Sequence, residues 1–233
     1  MAVHHHQAIT LLELAAVELG PLAAEATLVG GCLVPLLITD PGAPSPRVTI
    51  DVDIVVQTVT LLEYSRFSAA LRQRGFRQGD VEADPICRYR KGRLIIDALP
   101  VSPTVLGFGN QWYPLSVATA VPSRLPSGFQ LRHATAPCFL ATKLAAFRDR
   151  GRSDYLGSRD FEDIVAVVDG RPEVVDEVLS APRELRNWLK GEAATLVGER
   201  GFVDGLSGMI PGIADIPGRA GLIMERFVAI ARG

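Results

Sequence analysis

Apolar residues recur at helical spacing over 7–19 (QAITLLELAAVEL), and the pattern stops at Gly20-Pro21, a pair that terminates helices. The next apolar run, 26–29, has strand length and enters Gly30-Gly31, after which a stretch of helical character continues to residue 38. Residues 40–46 (DPGAPSP) predict a loop, because Pro and Gly punctuate it throughout. The segment 48–57 (VTIDVDIVVQ) is β-branched and apolar around two aspartates and predicts a buried strand. An amphipathic helix is predicted over 61–74, closed by Gly75. Residues 87–90 and 93–99 predict a hairpin turning at Lys91-Gly92, and several short strands follow up to about residue 132. Beyond Pro137, which suits the first turn of a helix, the pattern changes. Stretches 138–148, 160–168, 172–179, 184–196 and 222–231 all predict helices. The expected fold is α+β: a mixed sheet with flanking helices, then a helical C-terminal region, with domains at 1–135 and 136–233.

Composition narrows the function classes. A chain of 233 residues with 48% apolar and 21% charged content buries a sizeable core and is not a disordered chain. Its formal net charge of −2 provides no global cationic field for non-specific binding of nucleic acid. The longest uncharged apolar stretch, 26–39, is broken by Gly30, Gly31 and Pro35. It falls short of the ~18–20 residues a membrane span needs, so no membrane association is expected. Cys32, Cys87 and Cys138 match no disulfide or zinc pattern, and no secretion signal is visible, which makes the cytoplasm the expected location. Cys87 and Cys138 read as small buried hydrophobes. Beyond His4, His5 and His6, which are set aside, the sole histidine is His133. No nucleophile–base pair can be read around it, which argues against triad hydrolysis. Only Lys91, Lys143 and Lys190 are lysines, so each stands out against an arginine-dominated background.

The chemistry begins at Asp51-Val52-Asp53. Residues i and i+2 of a strand point to one face, about 6.5–7 Å apart. Two carboxylates on one face of an apolar strand are costly unless a cation meets them, and a Mg²⁺ pair is one candidate. A strand end, with one carboxylate solvated and the other capping a turn, is the alternative. Asp97 is the only charge in the apolar run 94–99, so three carboxylates converge if the two strands are sheet neighbours. Gly30-Gly31, between a short strand and a helical stretch, lets backbone N–H groups approach phosphate oxygens.

The order strand, Gly-Gly, helix, loop, Asp-x-Asp strand, single-Asp strand is that of the polymerase-β-like nucleotidyltransferase fold. The chain resembles the AbiEii-type nucleotidyltransferases, toxin components of abortive-infection toxin–antitoxin pairs, from about residue 28 to 170. Leu28-Val29-Gly30-Gly31 looks like their phosphate-binding motif, and Arg47-Val48-Thr49-Ile50-Asp51-Val52-Asp53-Ile54 resembles their Arg-x-Thr/Ser-x-Asp-x-Asp strand. The stretch from Phe139 through Lys143 to Arg148 is similar to their lysine-bearing helix, and Arg159-Asp160-Phe161-Glu162-Asp163 to the Arg-Asp-x-x-Asp element that follows. Two departures stand out: the Pro-rich loop at 40–46 lengthens the segment before Asp51, and Cys32 occupies a position where a Ser or Thr is usual, a weaker donor toward phosphate.

The resemblance implies Mg²⁺ (or Mn²⁺) and an NTP substrate. Asp51, Asp53 and Asp97 are then the metal ligands and catalytic carboxylates, with Asp97 helping to activate the acceptor hydroxyl. Gly30, Gly31, Cys32, Arg47 and Thr49 fall to nucleotide binding, and Lys143 reaches the triphosphate as a point charge. Asp160 orients Lys143 or the nucleotide, though acidic residues in a helix's first turn also serve as dipole partners. Positive charge is uneven. Residues 66–93 hold eight Arg/Lys against Asp80, Glu82 and Asp84, and 124–159 hold seven against Asp149 and Asp154. A basic rim of this kind suits an RNA end such as the tRNA acceptor stem, and equally a triphosphate alone. A toxin that adds nucleotides to tRNA, with a cognate antitoxin as partner, is the leading expectation. A protein-modifying nucleotidyltransferase and an inactive nucleotide-binding module are the alternatives.

Overall fold

The computed structural model describes residues 2–79, 84–150, 154–208 and 218–233. Asp80 and Glu82 of the first basic stretch, and Arg152 of the second, lie outside them. In chain order the elements are α1 (Ala2–Leu19), β1 (Ala26–Val29), α2 (Val34–Leu37), β2 (Asp51–Val56), α3 (Leu61–Gln73), β3 (Arg77–Gln78), β4 (Arg88–Lys91) and β5 (Leu94–Pro100). Then come α4 (Tyr113–Ala118), β6 (Val121–Arg124), β7 (Gln130–His133), α5 (Ala136–Arg150), α6 (Arg159–Gly170), α7 (Val174–Ser180), α8 (Arg183–Gly198), α9 (Arg200–Gly205) and α10 (Arg219–Arg232). The expected α+β class holds, with one seven-stranded mixed sheet in the order β3-β4-β5-β2-β1-β7-β6. Three details differ from expectation. β2 starts at Asp51 rather than 48, because Val48 and Ile50 are exposed and make no ladder. A short helix, α4, stands among the strands expected before 132. α9 follows α8 where no helix was expected.

Two compact units emerge, one of residues 2–33 and 48–135, the other of 34–47 and 136–233. The first holds the whole sheet. β2 runs antiparallel to β1 and parallel to β5, and β5 forms the expected hairpin with β4. Alternation decides the faces. Val52, Ile54, Ile96, Ala98 and Tyr89 are buried on one side, where Leu12, Ala15 and Leu19 of α1 close around Leu28, Val52 and Ile54. Among the described residues, 7–25 is the one stretch long and apolar enough to cross a bilayer, but Leu12, Ala15 and Leu19 in it are buried against the sheet. α3 is pinned to the same face: Tyr89 donates to Ser68 Oγ (2.7 Å) and Tyr64 to the Ala98 carbonyl oxygen (2.9 Å).

α3 starts with a capping box. Thr60 Oγ1 accepts from the Glu63 N–H (3.2 Å), and the Glu63 carboxylate accepts from the Thr60 and Val59 N–H groups (3.1 and 2.8 Å). Thr60→Ala is expected to lower the urea-unfolding free energy by about 1 kcal/mol. Those two backbone donors hold the Glu63 carboxyl below its ordinary value. A lowered folded value means the carboxylate's contribution is complete above the unfolded value and is lost as pH falls through the folded one. Repeating the unfolding series toward acid pH checks the sign.

The second unit is helical around an aromatic cluster. Phe161, fully buried, packs against Phe147, Tyr155 and Phe202 at centroid separations of 4.8, 4.9 and 5.6 Å. The Pro-rich segment belongs to this unit because its polar groups are satisfied there. The Thr39 and Asp40 N–H groups both donate to the Gly170 carbonyl (2.9 Å each), and Arg171 donates to the Leu37 carbonyl (2.7 Å). Arg219 bridges Asp40 (2.9 Å) and the buried Asp169 (2.6 Å), whose carboxyl burial pushes above its ordinary value despite the guanidinium.

Candidate active site

Strand register assembles the first cluster. Val29 pairs with Asp53, Asp53 with Asp97 and Asp97 with Arg88, so four strands contribute to one rung. Residues facing one another in register share a sheet face, and Asp51 joins that face two residues before Asp53. Arg90, two residues after Arg88, joins it as well. Gly30 follows Val29 with φ +71°, and a Cβ placed on it would fall 1.9 Å from Asp53 Oδ2. The glycine therefore gives the Asp53 carboxylate its space, a different use from the phosphate approach read from the sequence. Cys32 is wholly buried, its thiol toward the Val29 carbonyl oxygen at 3.5 Å, which turns it inward rather than toward a phosphate. Gly31 is buried at the start of the same turn. The Thr49 hydroxyl oxygen is buried without a hydrogen-bond partner.

Arg88, which the sequence reading passed over, dominates the cluster. It grips Asp97 with a fork, Nε to Oδ1 at 2.8 Å and Nη2 to Oδ2 at 2.7 Å. Nη2 also reaches Asp51 Oδ2 at 3.1 Å, and Nη1 stands 3.8 Å from Asp84 Oδ1. Asp84 is itself held by both arms of Arg90 at 2.7 Å, which keeps its carboxyl below the usual range. The carboxylates around Arg88, Asp97 first among them, hold its guanidinium firmly protonated. Next to it, burial pushes the Cys87 thiol up to about 12, so it stays neutral. Magnesium or manganese held by Asp51, Asp53 and Asp97 does not fit this arrangement. Both Asp97 oxygens and one of Asp51 already accept from Arg88, and among the described residues no three acidic, His or Cys side chains gather closely enough to hold a metal.

The second cluster lies within the helical unit. Lys143 on α5 contacts Asp160 Oδ1 at 2.9 Å and Asp163 Oδ2 at 2.7 Å. Asp163 also takes both arms of Arg47, at 2.8 and 2.9 Å. The two aspartates share a face at the N-terminal end of α6, where the spacing i, i+3 brings side chains together and the helix dipole favours negative charge. Ser158 caps that end by accepting from the Phe161 N–H at 3.3 Å. Asp163, not Asp160, is the centre, being 1% exposed and bound to both cations. The resemblance puts Lys143 at the triphosphate and Arg47 in nucleotide binding; in the structure each contacts a carboxylate. The cluster pairs two cations with two anions, and burial pushes the neighbouring Glu162 carboxyl upward.

No protein-family model matches the chain, and no curated protein matches it at a significant level. Among solved structures, the crystal structure of an antigenic nucleotidyltransferase-like protein from Paracoccidioides brasiliensis is similar. The match covers 88% of this chain and 92% of that one, with 21% sequence identity and a TM-score of 0.53. The chain therefore has a nucleotidyltransferase-like fold.

Proposed function

We propose that this protein is a nucleotidyltransferase that moves a nucleotide from an NTP to an RNA end such as the tRNA acceptor stem. The reading extends to a toxin role in the cytoplasm, restrained by a cognate antitoxin, as the AbiEii resemblance implies. The observation that carries it is the rung that sets Val29, Asp53 and Asp97 side by side on three adjacent strands of this fold, with Gly30, just past the end of β1, lying against the Asp53 carboxylate. Transfer forms a bond from the acceptor oxygen to the α-phosphorus and breaks the bond to pyrophosphate, while the acceptor proton passes to a base. In this reading Asp53, half-buried in the rung, takes that proton. A second reading has its own observation: Arg88 holds both oxygens of Asp97, an arrangement suited to a module that binds nucleotide without transferring it.

A labelled-transfer assay separates these. The protein meets each α-³²P NTP with total tRNA and lysate in Mg²⁺ buffer, beside Asp53→Ala and Lys143→Ala. Label on tRNA is expected, falling at least ~100-fold in Asp53→Ala, the scale of a lost general base. Loss in Lys143→Ala supports the role that the resemblance gives Lys143. Label on protein alone moves the acceptor from RNA to protein. Nucleotide binding with no label from any NTP selects the binding module.

A further inference from the structure

Asp51, Asp53 and Asp97 share one face of the sheet, on strands about 4.8 Å apart, and carboxylates so placed are favoured by a cation beside them. In this protein the cation is covalent. Arg88 is delivered by register: the β4–β5 hairpin sets it opposite Asp97 on the carboxylate face. Its neighbours fix it there. Tyr89 is buried with its hydroxyl on Ser68, and Arg90 locks Asp84, which stands beside the Arg88 guanidinium. The guanidinium thus touches carboxylates from β5, from β2 and from the segment preceding β4, and only a fifth of its side chain is exposed. A planar fork on a carboxylate is a strong, oriented contact.

We infer that Arg88 takes the place of a divalent cation at Asp51 and Asp97, so that an ion and the guanidinium are mutually exclusive occupants of these carboxylates. A divalent ion ligated by Asp97 needs the oxygens that the fork holds and would stand next to a like charge. Asp97 is then a structural anchor for Arg88 rather than a metal ligand, and the ion affinity of this face is set by residue 88. The inference is independent of nucleotidyl transfer, because ion binding is read without nucleotide or acceptor.

The test is direct titration of the full chain with Mn²⁺, followed by electron paramagnetic resonance of the free ion. In the wild-type background, Asp97→Asn is expected to change Mn²⁺ affinity by less than twofold. Arg88→Gln is expected to gain a site at least tenfold tighter, and adding Asp97→Asn to it removes that site. Arg88→Lys, which keeps a charge but loses the fork, is expected to fall between the two and serves if Arg88→Gln does not fold. The inference is overturned if Asp97→Asn weakens wild-type Mn²⁺ binding tenfold or more, or if neither Arg88 variant binds the ion more tightly than wild type.

Discussion

Asp163→Asn is expected to lower the stability of the helical unit by about 3–5 kcal/mol, the scale for removing one partner of a buried ion pair. Asp163 is 1% exposed and holds Arg47 through two hydrogen bonds and Lys143 at 2.7 Å. Without its charge, Lys143 retains Asp160, but Arg47 loses both contacts to its carboxylate. Arg47 lies in the segment 34–47, which reaches Asp163 across 116 positions of sequence, so weakening this pair also weakens the hold on that segment. Asp160→Asn is expected to cost less, since Asp160 is more exposed and Lys143 keeps Asp163. Thermal or urea unfolding of the two variants reads the contrast. An Asp163→Asn protein within about 0.5 kcal/mol of wild type, the range of ordinary surface changes, would remove Asp163 from the centre of this cluster.

The second large effect is at Gly30. Gly30→Ala forces an L side chain into a left-handed backbone, a penalty of about 1–2 kcal/mol, and drives its Cβ to 1.9 Å from Asp53 Oδ2. Gly92 is a built-in control. Its φ is +57°, yet an added Cβ there meets nothing within 4 Å, so Gly92→Ala reports the backbone penalty alone. Gly30→Ala is expected to be clearly the more destabilising of the two and to abolish label transfer, because relief requires Asp53 to leave its position. Equal unfolding free energies for the two variants would show that Asp53 does not lie against Gly30.

Local pattern carried most of the elements. The apolar runs of 51–56 and 94–100, the helix stop at Gly75 and the Gly92 turn are decided by neighbours in sequence, and the structure follows them. The extended reading of 48–50 failed because β-branched residues suit a strand only where a ladder partner exists, and Val48 and Ile50 have none. Arg88 was within reach of the sequence. A hairpin turning at Lys91-Gly92 pairs Lys91 with Leu94 and, three rungs on, Arg88 with Asp97. The pairing of Arg88 with Asp97 depends on the hairpin register, which the carboxylate pattern of either strand alone does not contain. Asp163 was harder to see, since its importance comes from Arg47, 116 residues away.

The sequence by itself determined the α+β class, the places of Gly30, Asp51, Asp53 and Asp97 on strands or turns, and the helices bearing Lys143 and Asp160, because each depends on spacing within one short segment. Tertiary structure alone decided which of those groups meet and which counter-charge each one faces. Pairing β2 with both β1 and β5 put Asp53 against Gly30 and beside Asp97, the hairpin register gave Asp97 to Arg88, and the fold of 34–47 onto α6 gave Asp163 to Arg47. Those are choices among long-range pairings, and their energies lie in desolvation and ion pairing between distant segments, which no local pattern encodes.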